Sequence, residues 1–110
     1  LFNTTVRKNV SSGDGPGAVI ARTQMLRVFG STIAENSSSG AALVGQASGL
    51  GVEIINSTIT NNTGGAAAVI ATKGEVVLNY ATITDNIATA GTAAGVQATT
   101  NVITLSRSVI

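Results

Sequence analysis

The chain has 110 residues, enough for one domain. Apolar residues make up 44% and charged ones 10%, with no Cys, His or Trp. Without Cys there is no disulfide framework, thiolate metal site or thiol nucleophile, and without His no imidazole base. A net charge of +1 is too small for the phosphate-neutralising footprint of a nucleic-acid binder. No apolar run approaches the ~20 residues of a membrane-spanning helix, and no cofactor or metal is expected.

Leu1 opens into Phe2-Asn3-Thr4-Thr5, without the charged and apolar regions of a signal peptide, so any export signal is expected upstream. The first apolar phrase is Thr5-Val6-Arg7-Lys8-Asn9. The stretch Gly13-Asp14-Gly15-Pro16-Gly17 reads as a turn bulging from the first coil, and its single carboxylate is too few for calcium. Ala18-Val19-Ile20-Ala21 and the alternating Leu26-Arg27-Val28 follow. Then the order repeats. Thr32-Ile33-Ala34-Glu35-Asn36 is followed by Ala42-Leu43-Val44-Gly45 and by Val52-Glu53-Ile54. Thr58-Ile59-Thr60-Asn61-Asn62 leads to Ala68-Val69-Ile70-Ala71 and the pair Val76 and Leu78. Thr82-Ile83-Thr84-Asp85-Asn86 leads to Gly95-Val96-Gln97-Ala98 and the pair Ile103 and Leu105. A fifth phrase begins at Ser108-Val109-Ile110.

The aliphatic after the hydroxyl recurs at Val6, Ile33, Ile59 and Ile83, at intervals of 27, 26 and 24. Fixed-period self-similarity is the signature of a solenoid. The β-branched content and period-2 alternation make the segments strands. The expected fold is all-β: a parallel β-helix of about four coils of 24–27 residues, each with three short strands. Residues 1–110 form a single solenoid segment. Leu26, Val28, Ile33, Val19 and their equivalents fill a narrow interior, where Ala and Gly fit and aromatics do not.

The phrase Ser31-Thr32-Ile33-Ala34-Glu35-Asn36, followed by Ser39-Gly40-Ala41-Ala42-Leu43-Val44, resembles the coil of a right-handed parallel β-helix of the pectin-lyase-like type. It is most similar to the repeats of polymorphic outer-membrane and autotransporter-like surface proteins. The resemblance spans essentially the whole chain and implies a fold, including its handedness, more than a role.

Residues of equal phase stack in columns. Asn9, Asn36, Asn62 and Asn86 form the most regular polar column, expected to be a structural amide ladder. Thr5, Thr32, Thr58, Thr82 and Ser108 are expected to form a hydroxyl column. Thr60 and Thr84 widen it to a Thr-x-Thr face similar to that of β-solenoid ice-binding proteins, with Arg7 and Ala34 interrupting it. Arg27 and Glu53 share a phase, as do Lys8 and Glu35, which predicts cross-strand ion pairs. Glu35 and Asp85 also share a phase, two coils apart with Asn61 between, a spacing that on paper would suit an inverting glycosidase pair. Among five Asn-x-Ser/Thr sequons, at Asn3, Asn9, Asn36, Asn56 and Asn61, Asn3 and Asn56 are the better candidates for glycan attachment.

Leu1 starts in the phase of a strand and Ile110 stops inside another, so both ends are expected to be uncapped. Leu1, Val6, Leu105 and Ile110 then mark stacking ends, with a second copy or further coils as partner. The expected role is a non-enzymatic extracellular or cell-surface structural protein, a β-helix rod of a surface fibre or adhesin. Two alternatives stand beside it. One is a fragment of a carbohydrate-active β-helix enzyme whose catalytic coils lie elsewhere. The other is a ligand- or ice-binding solenoid that uses the Thr face.

Overall fold

The structure is a computed structural model and describes residues 1–12, 17–46, 49–65, 68–71, 73–90, 94–99 and 102–110. The turn expected at Gly13-Asp14-Gly15-Pro16-Gly17 lies, except for Gly17, outside the described residues. The chain is a parallel β-solenoid of about three turns with no helix among the described residues.

One sheet stacks β1 (Thr5–Arg7), β4 (Thr32–Ala34), β7 (Thr58–Thr60) and β11 (Thr82–Thr84). A second stacks β2 (Val19–Ala21), β5 (Leu43–Gly45), β9 (Val69–Ala71) and β13 (Val96–Ala98). A third stacks β3 (Leu26–Phe29), β6 (Gly49–Ile55), β10 (Gly74–Asn79) and β14 (Ile103–Ser106). A fourth, shorter ladder joins β8 (Thr63–Gly64) to β12 (Ile87–Ala88), and single bridges from Val10 to Ser37 and from Ser37 to Thr63 extend it. Each pass therefore has a fourth straight segment beyond the three that the apolar pattern marks. Ser37, Thr63 and Gly64 carry too little hydrophobicity to announce it.

The register keeps the columns apolar. Ile33 pairs between Val6 and Ile59, and Ile59 pairs with Ile83. Leu26, Val52 and Val76 align, as do Val28, Ile54 and Leu78. Leu43 and Val69 complete the core, and all of these from the second and later passes are fully buried. Burying each such side chain contributes roughly 1.5–3 kcal/mol. β6 carries one extra residue opposite β10, and the register shift between Glu75 and Val76 absorbs it. That bulge keeps Val52 facing inward over Val76.

Corners are made by backbone conformation. Among the described residues, eight non-glycine residues have positive φ between 47° and 57°, and with Gly30 they fall into two columns. Asn3, Gly30, Asn56, Tyr80 and Arg107 precede the short strands of the first sheet; Lys8, Glu35, Asn61 and Asp85 follow them. A single left-handed residue on each side turns the chain sharply, so a three-residue strand is bracketed by two corners. Asn and Gly are the residues that adopt this conformation readily. Lys8, Glu35 and Tyr80 each donate a backbone N–H to the neighbouring pass from this conformation, to the carbonyls of Ala34, Thr60 and Ser106.

Candidate functional site

The repeated polar columns are the candidate site. Asn9 donates its backbone N–H (3.0 Å) and its Nδ2 (2.9 Å) to Asn36 Oδ1. Asn36 treats Asn62 Oδ1 in the same way, at 3.0 and 2.9 Å. Asn62 repeats the pattern on Asn86 Oδ1, both at 3.0 Å. The remaining amide protons go to backbone carbonyls of the same corner and of the preceding pass. Asn62 Nδ2 reaches Ile33 and Thr60, and Asn86 Nδ2 reaches Ile59 and Thr84. Asn36 and Asn62 are 1% and 2% exposed. No buried side-chain N or O among the described residues lacks a partner. Each corner thus satisfies its polar groups with the next pass.

A second ladder runs beside it. Thr4 N–H donates to Ser31 Oγ, Ser31 N–H to Ser57 Oγ and Ala81 N–H to Ser108 Oγ, at 3.0 to 3.1 Å. Each hydroxyl passes its own proton back to the carbonyl two residues earlier, in Phe29, Ile55 and Ser106. Ser108 therefore belongs to this column, not to the Thr column expected from its phrase. Val109 is the residue that pairs with Thr82. The phrase Ser108-Val109-Ile110 aligns with Ser31-Thr32-Ile33, so Val replaces the expected Thr. Serine before the strand is the signal that would have revealed this ladder.

The Thr face lies on the outer side of the first sheet, because the Ile between each Thr pair points inward. Thr60 Oγ1 and Thr84 Oγ1 are 3.5 Å apart, and Asn61 Nδ2 donates to Thr60 Oγ1 at 3.1 Å. Arg27 Nε meets Glu53 Oε2 at 2.7 Å across neighbouring strands. Glu35 holds two cations, Arg7 at 2.7 Å and Lys8 at 3.7 Å. Arg7, outside the expected pair, is the nearer partner because it lies on the strand directly beside Ala34. The Glu35 carboxylate is thus engaged by two cations, and Asp85 sits two passes away in the same corner column.

Asn3 and Asn56 lie exposed in the same left-handed corner column, whereas the sequon at Asn36 is buried in the ladder. Asn9 and Asn61 are also exposed. At the first pass, the Leu1 ammonium donates to the Arg27 carbonyl at 2.7 Å, and Val6 packs against the core. At the last pass, Leu105 and Ile110 are 54% and 55% exposed, while Leu78 and Ile83 beneath them are at most 1% exposed. Ile83, Asp85, Asn86, Gly95 and Ile110 line a recess of about 280 Å³ beside this edge. No helix among the described residues is long and apolar enough to cross a membrane, and no group of metal-binding side chains occurs among them.

Compared with models of known protein families, with curated proteins and with solved structures, the chain has no significant match.

Proposed function

We propose that this chain is a non-enzymatic structural protein: a rod section of an extracellular or cell-surface fibre or adhesin, extended by adding coils end to end. One observation carries the reading. The repeated polar side chains are spent on bonds between successive passes, in the Asn ladder, the Ser ladder and the Arg27–Glu53 and Glu35 ion pairs. Bonds directed along the axis favour length. A solenoid whose coils share one register is stabilised by each coil that docks, whether chain continuation or a second copy supplies it. The resemblance of its phrases to surface-protein repeats supports the location. Electron microscopy and fibre diffraction of the concentrated protein test end-to-end growth: unbranched filaments with a ~4.8 Å axial repeat are expected. Only short single particles would overturn it. Antibody labelling of intact source cells tests the location, and label confined to lysed cells would defeat it.

A second reading, a ligand- or ice-binding face, is favoured by the fixed hydroxyls of Thr60 and Thr84. Thr60→Lys and Thr84→Lys would then abolish incorporation into a growing ice front without lowering the melting temperature. A wild-type chain rejected from the ice like an inert protein removes this reading.

A further inference from the structure

Successive passes enter the first sheet through the same corner peptide: Asn3-Thr4, Gly30-Ser31, Asn56-Ser57 and Tyr80-Ala81. Each joins a left-handed residue to a position of the Ser ladder. In three of them the N–H is tied to the next pass. Ser31 Oγ accepts from Thr4 N–H at 3.1 Å, Ser57 Oγ from Ser31 N–H at 3.0 Å and Ser108 Oγ from Ala81 N–H at 3.1 Å. The Asn56-Ser57 peptide differs. Ala81 stands where the next hydroxyl would be, so among the described residues the Ser57 N–H has no acceptor, and the Asn56 carbonyl accepts no bond there either. The chain is pinned on both sides of this peptide. Asn56 N–H donates to the Asn79 carbonyl at 3.0 Å and Thr58 N–H to the Ser31 carbonyl at 2.9 Å. Between those two pins the peptide plane can rotate without breaking a hydrogen bond.

Asn56 is exposed, and its carboxamide has no hydrogen bond among the described residues. An Asn side chain is short enough to reach neighbouring main-chain groups, and the small Ser57 side chain leaves the approach to its nitrogen open. The other described Asn residues lack one of these freedoms. Asn36 has the same Asn-Ser sequence, yet its Nδ2 donates to the Val6 carbonyl and to Asn62 Oδ1. The Ser37 N–H after it is held by the Asn9 carbonyl at 2.9 Å. The main-chain amides that follow Asn3, Asn61, Asn62, Asn79 and Asn86 are all bonded to another pass. Asn9 keeps its Nδ2 on Asn36 Oδ1.

We infer that Asn56 is a self-modification site, at which the Ser57 main-chain nitrogen displaces ammonia from the Asn56 carboxamide. The nitrogen gives its proton to a solvent base and bonds to Asn56 Cγ. The Cγ–Nδ2 bond breaks, and Nδ2 takes a proton from water and leaves as ammonia. The product is a cyclic imide, which water opens at either carbonyl to aspartate or isoaspartate. In sum, one water enters and one ammonia departs, with nothing oxidised or reduced. The new carboxylate lowers the net charge of +1 by one unit. Isoaspartate also lengthens the main chain between β6 and β7, whose registers are fixed at Ile55 and Thr58. The site does not rest on the structural role proposed above.

Peptide mapping by mass spectrometry, after incubating the whole chain in mildly alkaline buffer, tests the inference. Asn36-Ser37 serves as an internal control of identical sequence. Each site is measured in the folded chain and in concentrated urea. Folded Asn56 is expected to keep a share of its unfolded rate roughly tenfold or more above that of Asn36, because only Asn36 must wait for the core to open. Ala81→Ser, which offers the Ser57 N–H its missing acceptor, should slow the reaction at Asn56 in the folded chain and leave the rate in urea unchanged. Asn56 protected as well as Asn36, or a folded rate untouched by Ala81→Ser, overturns the inference. Circular dichroism checks that the variant is folded. If it is not, hydrogen exchange of the wild-type chain decides: the Ser57 amide should exchange faster than those of Ser31 and Ala81, and equal protection overturns the inference.

Discussion

Asn36 gives both its backbone N–H and its side-chain Nδ2–H to one oxygen, Asn62 Oδ1, at 3.0 and 2.9 Å. A single carbonyl oxygen uses both lone pairs here, and the corner is buried on every side. Asn62→Ala would strand two donors of Asn36 and leave the Ile33 carbonyl without its amide partner. Each orphaned buried group costs about 1–3 kcal/mol, so with three of them the variant should lose roughly 3 kcal/mol or more. Thermal denaturation followed by circular dichroism measures this, and an unchanged melting temperature would show that the ladder carries no stability. Asn62→Asp is also expected to destabilise, because a carboxylate cannot donate to the carbonyls of Ile33 and Thr60.

The Ser ladder has one missing rung. Ser31 and Ser57 each receive a backbone N–H from the preceding pass, and Ser108 receives that of Ala81. Ala81, 1% exposed, has no oxygen to offer Ser57. Ala81→Ser should supply it, with the new hydroxyl donating back to the Asn79 carbonyl as its column mates do. A completed buried hydrogen bond stabilises by about 0.5–1.5 kcal/mol. Chemical denaturation should show a raised midpoint; a lowered one would mean that the interior cannot accept the extra oxygen.

Much of this architecture is legible in the sequence because a solenoid turns periodicity into contact. The alignment of Val6, Ile33, Ile59 and Ile83 is a statement about which residues touch, and the register has those pairs. What does not show in the sequence is backbone conformation. Tyr80 and Glu35 give no sign of positive φ alone; only their alignment with Asn56 and with Asn61 does so. The placement of Ser108 shows the same limit. Hydroxyl chemistry suggested the Thr column, whereas strand register, set by Val109 against Thr82, puts it one position earlier.

Arg27 and Glu53 are opposite one another on parallel strands, with Arg27 more exposed than Glu53. A cross-strand pair of this kind, open to solvent on the arginine side, contributes about 0.2–1 kcal/mol. Arg27→Glu should cost more than the loss of the pair, since it sets two carboxylates side by side. Adding Glu53→Arg should restore most of the stability. A double-mutant cycle by urea denaturation measures the coupling, and purely additive losses would mean that the two side chains do not interact in solution. Raising the salt concentration should shrink the coupling.

The sequons divide by burial. Asn36 is held by bonds to Asn62 and to the Val6 carbonyl, so a glycan on its Nδ2 would break the ladder. Asn56 is exposed at a corner, with a positive φ of 48° that Asn tolerates. When the chain is expressed through a eukaryotic secretory pathway, glycopeptide mass spectrometry of the folded fraction should find sugar on Asn56 and none on Asn36. Sugar on Asn36 at a native melting temperature would contradict the burial of that amide.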